Sequence, residues 1–250
     1  MRKWHWSQAT KLCLEGFALR IAKKGKRLEN PIDDTISHGY NISSYVNLFG
    51  KEDRFLANEI KRKYVTVAFL ALNIAAYLLS TVFGEKVYES GSLSVLDVLE
   101  NHEYYRIVTS MFLHSGVSHI VGNMLFVVIL GDMLEQAIGH FPFALCYLLT
   151  GIGGNICSML FELATGEYYH TVGASGAVCG IMGALLVLII LNRGSFGHIS
   201  LNRMLLAIVY MIYTGLQSPI VNNAAHIGGL LSGILVMAVF AGFHRNRYRS

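Results

Sequence analysis

Six apolar runs set the terms for what this chain can fold into. They cover about Tyr64–Phe83, Val117–Leu130, Phe141–Leu163, Gly173–Leu191, Met204–Leu216 and Ala224–Phe243. A helix that crosses the hydrocarbon core of a bilayer needs roughly 20 apolar residues, and the first, third, fourth and sixth runs approach that length. The second and fifth are short, so their ends must be wetted or shielded by protein. Composition agrees: 53% of the 250 residues are hydrophobic and 14% charged, against about 25% charged in a soluble domain. The expected class is an all-α, polytopic membrane protein with six transmembrane helices.

The basic residues are unevenly placed. Thirteen of the 20 Lys and Arg lie in residues 1–63, and three more, Arg245, Arg247 and Arg249, close the chain. With the N-terminus inside, the inner segments hold 18 and the outer loops hold only Lys86 and Arg106. That asymmetry predicts cytoplasmic termini and an even number of spans. These charges flank spans and do not form a patch, so nucleic acid is not an expected partner. The expected organisation is a basic cytoplasmic segment at 1–63, a helical membrane domain at 64–243 and a basic tail at 244–250. Within 1–63, Gln8–Lys24 carries a weak amphipathic pattern suited to a membrane surface. A small soluble subdomain built around Tyr45, Val46, Leu48 and Phe49 is the other reading. The start, Met1–Trp6, has neither an apolar core nor a small-residue cleavage site, so no cleaved leader is expected. Cys13, Cys146, Cys157 and Cys179 show no paired or metal-ligand spacing and read as free thiols.

The connection from Gly84 to Gly116 is too apolar for a solvated loop. Leu93, Val95, Leu96, Val98 and Leu99 are followed by Tyr104, Tyr105, Ile107, Val108, Met111, Phe112 and Leu113. It is expected to lie in the outer membrane interface with its aromatic residues at headgroup depth.

Polar groups inside a membrane are costly, so each calls for a reason. Ser175 stands in Gly173-Ala174-Ser175-Gly176, where a loop becomes the fourth helix. It lies 18 residues, or roughly 27 Å of helix, before Arg193, which places its hydroxyl near the outer face. Alone it reads as a helix cap. As a nucleophile it would sit where a helix N-terminus presents free N–H groups to an oxyanion. His226 opens the sixth helix, with Gly229 and Gly233 on its face, while Gly176, Gly180 and Gly183 stripe the fourth. Small faces of this kind let helix backbones approach closely, enough to bring Ser175 to His226 as a nucleophile–base pair. His119 and Asn123, spaced i, i+4 on the second helix, can donate toward developing negative charge; interhelical hydrogen bonding is the plainer use of both. His114 adds a third histidine, but no carboxylate accompanies it and no metal is expected. Even-numbered helices all start on the outer side, so these groups share one depth.

The ordered set resembles the rhomboid family of intramembrane serine proteases. Tyr105-Arg106 resembles the aromatic–Arg pair of that family's first external loop. His114, His119 and Asn123 resemble its H-x4-H-x3-N pattern. Gly131 and Glu135 resemble its LGxxLE-like helix end, Gly173–Gly176 its GxSG, and Ala225-His226 with Gly229 and Gly233 its AHxxGxxxG. The resemblance covers about 64–243. It implies a six-helix bundle with a large membrane-associated loop between the first two helices. It also implies a Ser175–His226 dyad without an acidic third member, and an oxyanion hole from His119, Asn123 and the Ser175 backbone N–H. His114, Arg106 and Glu135 would be structural. No cofactor is implied. The partners would be transmembrane protein substrates and the lipid bilayer, in a bacterial plasma membrane. Cys179 stands where relatives often place an aromatic against the histidine, and Tyr105 replaces a more usual Trp. The competing readings are a non-proteolytic rhomboid-like protein that binds membrane clients, and a small transporter, for which no inverted repeat is visible.

Overall fold

The computed structural model describes residues 63–217 and 221–243; the Gln8–Lys24 and Tyr45–Phe49 readings and the tail at 244–250 lie outside the described residues. The described chain is almost wholly helical. Helix α1 (Tyr64–Phe83) leads to three short helices, α2 (Glu85–Gly91), α3 (Val95–Leu99) and α4 (Arg106–Thr109), the last running into a 3-10 turn at Ser110–Phe112. Helix α5 (Val117–Ile138) and α6 (His140–Thr165) follow, then α7 (Ser175–Leu191). A small antiparallel hairpin, β1 (Ser195–Phe196) with β2 (Ile199–Ser200), pairs Ser195 with Ser200 and Phe196 with Ile199. It leads to α8 (Leu201–Leu216) and α9 (Asn223–Phe243).

Four of these, α1, α5, α6 and α9, are long and apolar enough to cross a membrane; α7 and α8 are shorter apolar helices of 17 and 16 residues. The protein is an integral membrane protein. The second apolar run is not short, as its hydropathy suggests, because α5 continues through Asp132 and Glu135 to Ile138. A π-helical turn at Val127–Gly131 lies within it. The two charged residues end the apolar stretch without ending the helix. The chain reverses at Gly139, where φ is 93°, a value a β-carbon would resist.

Helix α7 is at the centre. Every residue from Gly176 to Leu185 is buried, which is why a sequence apolar all round is stable there. It is enclosed by α6 and α9, and glycine sets the spacing. A β-carbon at Gly229 would run into the carbonyl oxygen of Gly176, and one at Gly233 into that of Gly180. Contact between backbones is how helices associate where lipid supplies no hydrophobic drive. Around them Phe69 of α1 stacks on Tyr147 of α6 with ring centroids 3.9 Å apart.

Glu135 shows what a carboxylate does in this setting. It is buried on α5 and accepts from the Val65 N–H (3.0 Å), the Thr66 N–H (2.8 Å) and the Thr66 hydroxyl (2.6 Å). It therefore caps the first turn of α1, where the helix presents its positive end. His140 Nδ1 lies 2.6 Å from Oε1 of the same group, the oxygen that also accepts from Val65.

The connection between α1 and α5 differs from its expected form. Leu93, Val95 and Val98 pack with Met159 of α6 into a small core of their own, and Met111 and Leu113 are also buried. Much of the loop's apolar character thus serves internal packing, while Tyr104, Tyr105, Leu96 and Leu99 stay exposed. Arg106 is the hub. Its guanidinium donates to the carbonyls of Glu89 and Ser92 and to Glu103, and pairs with Asp97 at 3.3 Å. Only a rigid five-donor fork reaches so many acceptors.

Candidate active site

Ser175 is the first residue of α7, with Ala174 at the cap position. The turn before it is held from outside: the Gly173 N–H donates to the Ser110 carbonyl at 2.9 Å. Gly173 has φ 130°, open to glycine and strained for other residues. A β-carbon there would also strike the His119 ring, at 2.7 Å from Nε2, with Asn123 Nδ2 next at 3.8 Å. His119 and Asn123, one turn apart on α5, thus both border the turn that delivers Ser175.

His226 enters from α9. Its N–H bonds to the Asn222 carbonyl at 3.2 Å, within the first turn of the helix. Its neighbour Ala225 presents its carbonyl oxygen 3.5 Å from where a β-carbon of Gly176 would be, and Gly229, one turn on, lies against Gly176 itself. The residue before His226 and the residue three after it therefore both touch the residue that follows Ser175. The starts of α7 and α9 meet at this level.

The polar atoms here are notable for lacking partners. Asn123 Nδ2, His226 Nδ1 and His114 Nε2 are buried without a hydrogen bond among the described residues. Native proteins leave few such groups, and each needs a reason such as an unseen water or a catalytic role. Ser175 and His226 likewise share no hydrogen bond among the described residues; apo catalytic pairs are often longer than in a substrate complex. His119 Nδ1 lies 3.1 Å from the Ser115 hydroxyl. When Nδ1 accepts that bond, Nε2 carries the proton and serves as a donor on the side of Gly173. His114 meets His119 edge-on at 5.1 Å. Burial, and then the proximity of His119, push its pKa down to about 4, so the ring is neutral at ordinary pH.

Chemically, the arrangement gathers a hydroxyl at a helix N-terminus, a buried imidazole and two side-chain donors. Gly176, Gly180, Gly229 and Gly233 lie at the α7–α9 contact; Arg106 and Glu135 lie away from it, in the α1–α5 connection and near the end of α5. Cys179, one turn past Ser175, directs its thiol to Met211 of α8, with the sulfurs 3.0 Å apart. Among the described residues no group of three or more His, Cys, Asp and Glu is placed to hold a metal ion.

Sequence reasoning passed over four buried or bridging polar residues. Asn155 of α6 donates to the Ile107 carbonyl (2.7 Å) and the Ser110 hydroxyl (2.9 Å). Glu162 accepts from Ser158 (2.9 Å) and from the Tyr169 N–H (3.2 Å). Asn73 of α1 reaches Tyr147 at 3.3 Å. Asn222 precedes α9. The cost of polar groups in apolar runs, applied to every such residue, would have found the first three.

A family profile for the Rhomboid domain matches residues 101–243. RHOMBOID-like protein 6, mitochondrial, of Arabidopsis thaliana is 39% identical over 167 residues, 64% of this chain and 53% of that protein. RHOMBOID-like protein 1 of the same plant is 37% identical over 153 residues, 60% of this chain and 38% of that protein. Rhomboid protease GluP of Bacillus subtilis is 32% identical over 178 residues, 69% of this chain and 34% of that protein. The chain thus spans about half or less of the length of these relatives.

Proposed function

The chain belongs to the rhomboid family, and on that premise we propose that it is an intramembrane serine endopeptidase acting through Ser175 and His226. The observation that carries this reading is the Gly176–Gly229 contact, which brings the starts of α7 and α9 together at the level of both groups. The name of its relative GluP, a rhomboid protease, supports it further.

In the proposed reaction His226 removes the Ser175 proton as Oγ attacks a peptide carbonyl, forming a tetrahedral oxyanion. His119, Asn123 and the Ser175 backbone N–H donate to that oxygen. Loss of one such donor typically costs roughly 10²–10³ in rate. The imidazolium then protonates the leaving amine as the C–N bond breaks. Water, deprotonated by His226, attacks the resulting ester, and Ser175 leaves with its proton restored. Glu135, His114 and Arg106 shape the scaffold in this scheme, and the four glycines set helix spacing.

The proposed topology counts α7 and α8 as spans, giving six, with α2–α4 forming a large membrane-associated loop. Both termini then face the cytoplasm, with 1–63 as a basic segment, 64–243 as the protease domain and 244–250 as a basic tail. The proposed home is a bacterial plasma membrane, which the Bacillus subtilis relative supports and the plant relatives do not. Substrates are other membrane proteins, cut where a helix unwinds near its outer end. A stable helix hides its carbonyls in hydrogen bonds, so Gly, Pro or polar residues there favour cleavage.

The test is cleavage of a tagged membrane substrate by the purified, reconstituted protein. Ser175→Ala should abolish it, and undiminished cleavage by that variant would refute the assignment. Labelling of Ser175 by a fluorophosphonate distinguishes this reading from a rhomboid-like protein that only binds membrane clients, which would not label.

A further inference from the structure

The two proposed reacting residues come from helices far apart in the chain, and a short polar clamp joins the segments just ahead of them. Asn222 lies four residues before His226, and Thr171 lies four residues before Ser175. The Asn222 Nδ2 group donates to the Thr171 hydroxyl at 3.0 Å and also to the Ser158 hydroxyl of α6. Its Oδ1 accepts from the Ala225 N–H at 3.0 Å, and its carbonyl accepts from His226 N–H at 3.2 Å. One side chain thus caps α9 and reaches the strand of chain that leads into α7.

Both ends of the clamp are anchored. The Ser158 hydroxyl donates a hydrogen bond to Glu162 at 2.9 Å, and Glu162 also accepts from the Tyr169 N–H. Thr171 is fixed by a reciprocal pair of backbone bonds to Leu93, each 2.9 Å. The position of α9's first turn is therefore referred to α6, to the α1–α5 loop and to the approach to Ser175 at once. Beyond the backbone packing of Ala225 and Gly229 on Gly176, no side-chain hydrogen bond among the described residues holds His226, since its Nδ1 has no partner and it makes no bond to Ser175.

We propose that Asn222 is a positioning residue that sets the Ser175–His226 separation by clamping Thr171 and Ser158 to the start of α9. The inference rests on the peptidase reading above and adds a residue to it. A displacement of about 1 Å at reacting groups can cost roughly 10²-fold in rate, so a clamp of this kind acts on kcat while leaving substrate affinity alone.

The variants separate clamping from capping. Asn222→Ser keeps a favoured capping oxygen but is too short to reach Thr171 and Ser158. Thr171→Val removes the acceptor, keeps the β-branched shape and leaves the backbone bonds to Leu93. Thr171→Ser restores the acceptor. With the full chain reconstituted in bilayers, a fluorophosphonate titrates the Ser175 sites, forming a Ser–O–P bond with loss of fluoride. A tagged membrane substrate gives kcat per titrated site and KM.

Asn222→Ser and Thr171→Val should each lower kcat per site roughly 10–100-fold, slow labelling, and leave its endpoint and KM near wild type. Thr171→Ser should recover most of the rate. The double variant should be no worse than the weaker single, because both changes break one unit. Unchanged kcat per site in both single variants overturns the clamp. So does a loss seen only as fewer titratable sites, which is a folding defect alone. Wild-type protein that neither labels nor cleaves overturns the peptidase reading and the clamp with it, whereas labelled, active wild type with unaffected variants overturns the clamp alone.

Discussion

Adding one carbon at Gly229 should disable the protein. The β-carbon of Gly229→Ala would meet the carbonyl oxygen, carbonyl carbon and Cα of Gly176, all backbone atoms that no rotamer change can move. Real β-carbons essentially never come within 3.0 Å of another heavy atom, so α7 and α9 must part by roughly 1 Å to admit it. The same movement loosens Gly233 against Gly180 and Gly183 against Leu230, which share the crossing. Overpacking of this order costs about 1–3 kcal/mol. Because the strained contact adjoins both Ser175 and His226, the proposed reaction should slow roughly 10²-fold. Gly242→Ala is the control on the same helix: nothing lies within 4 Å of its β-carbon position, and alanine is the better helix former. Thermal unfolding in detergent and substrate cleavage in reconstituted bilayers measure the two effects. If Gly229→Ala unfolds and cleaves like Gly242→Ala, the account of the helix crossing is wrong.

Three further perturbations probe the scaffold. Glu135→Gln replaces a carboxylate that holds three donors at the start of α1 and should lower stability by about 2–3 kcal/mol; an unchanged unfolding midpoint would contradict the capping role. Arg106→Lys cannot span Glu89, Ser92, Glu103 and Asp97 together, so amides between Gly84 and Gly116 should exchange faster with deuterium while those of α7 stay protected. His114 has its pKa depressed from 6.5 to about 4 by burial and by His119. The folded state therefore resists protonation, and the unfolding midpoint should be highest above pH 6.5 and decline as pH falls toward 4. His114→Gln should remove that part of the decline, and an identical pH profile in the variant would reject it.

Hydropathy alone was enough to place α1, α6, α7 and α9 to within a few residues, because a helix within a bilayer, facing lipid or enclosed by other helices, must be apolar along its length and can tolerate charge only near its ends. The same rule failed at α5, where Asp132 and Glu135 lie inside the helix because partners at Lys63, Val65 and Thr66 receive them. The helix starts at Ser175 and just before His226 were equally legible, and a glycine stripe announces a close contact. Which stripe meets which was a tertiary matter. Gly176 finds Gly229, and Gly180 finds Gly233, across some fifty residues of chain. Local periodicity says which face is small and says nothing of what covers it. Polar residues behave likewise. Asn155 and Glu162 look like isolated interruptions of apolar sequence, and Asn222 like part of a polar connection, until the fold supplies Ser110, Tyr169 and Thr171 as their partners. A bilayer requires that such groups be satisfied, but only the packed helices decide by whom.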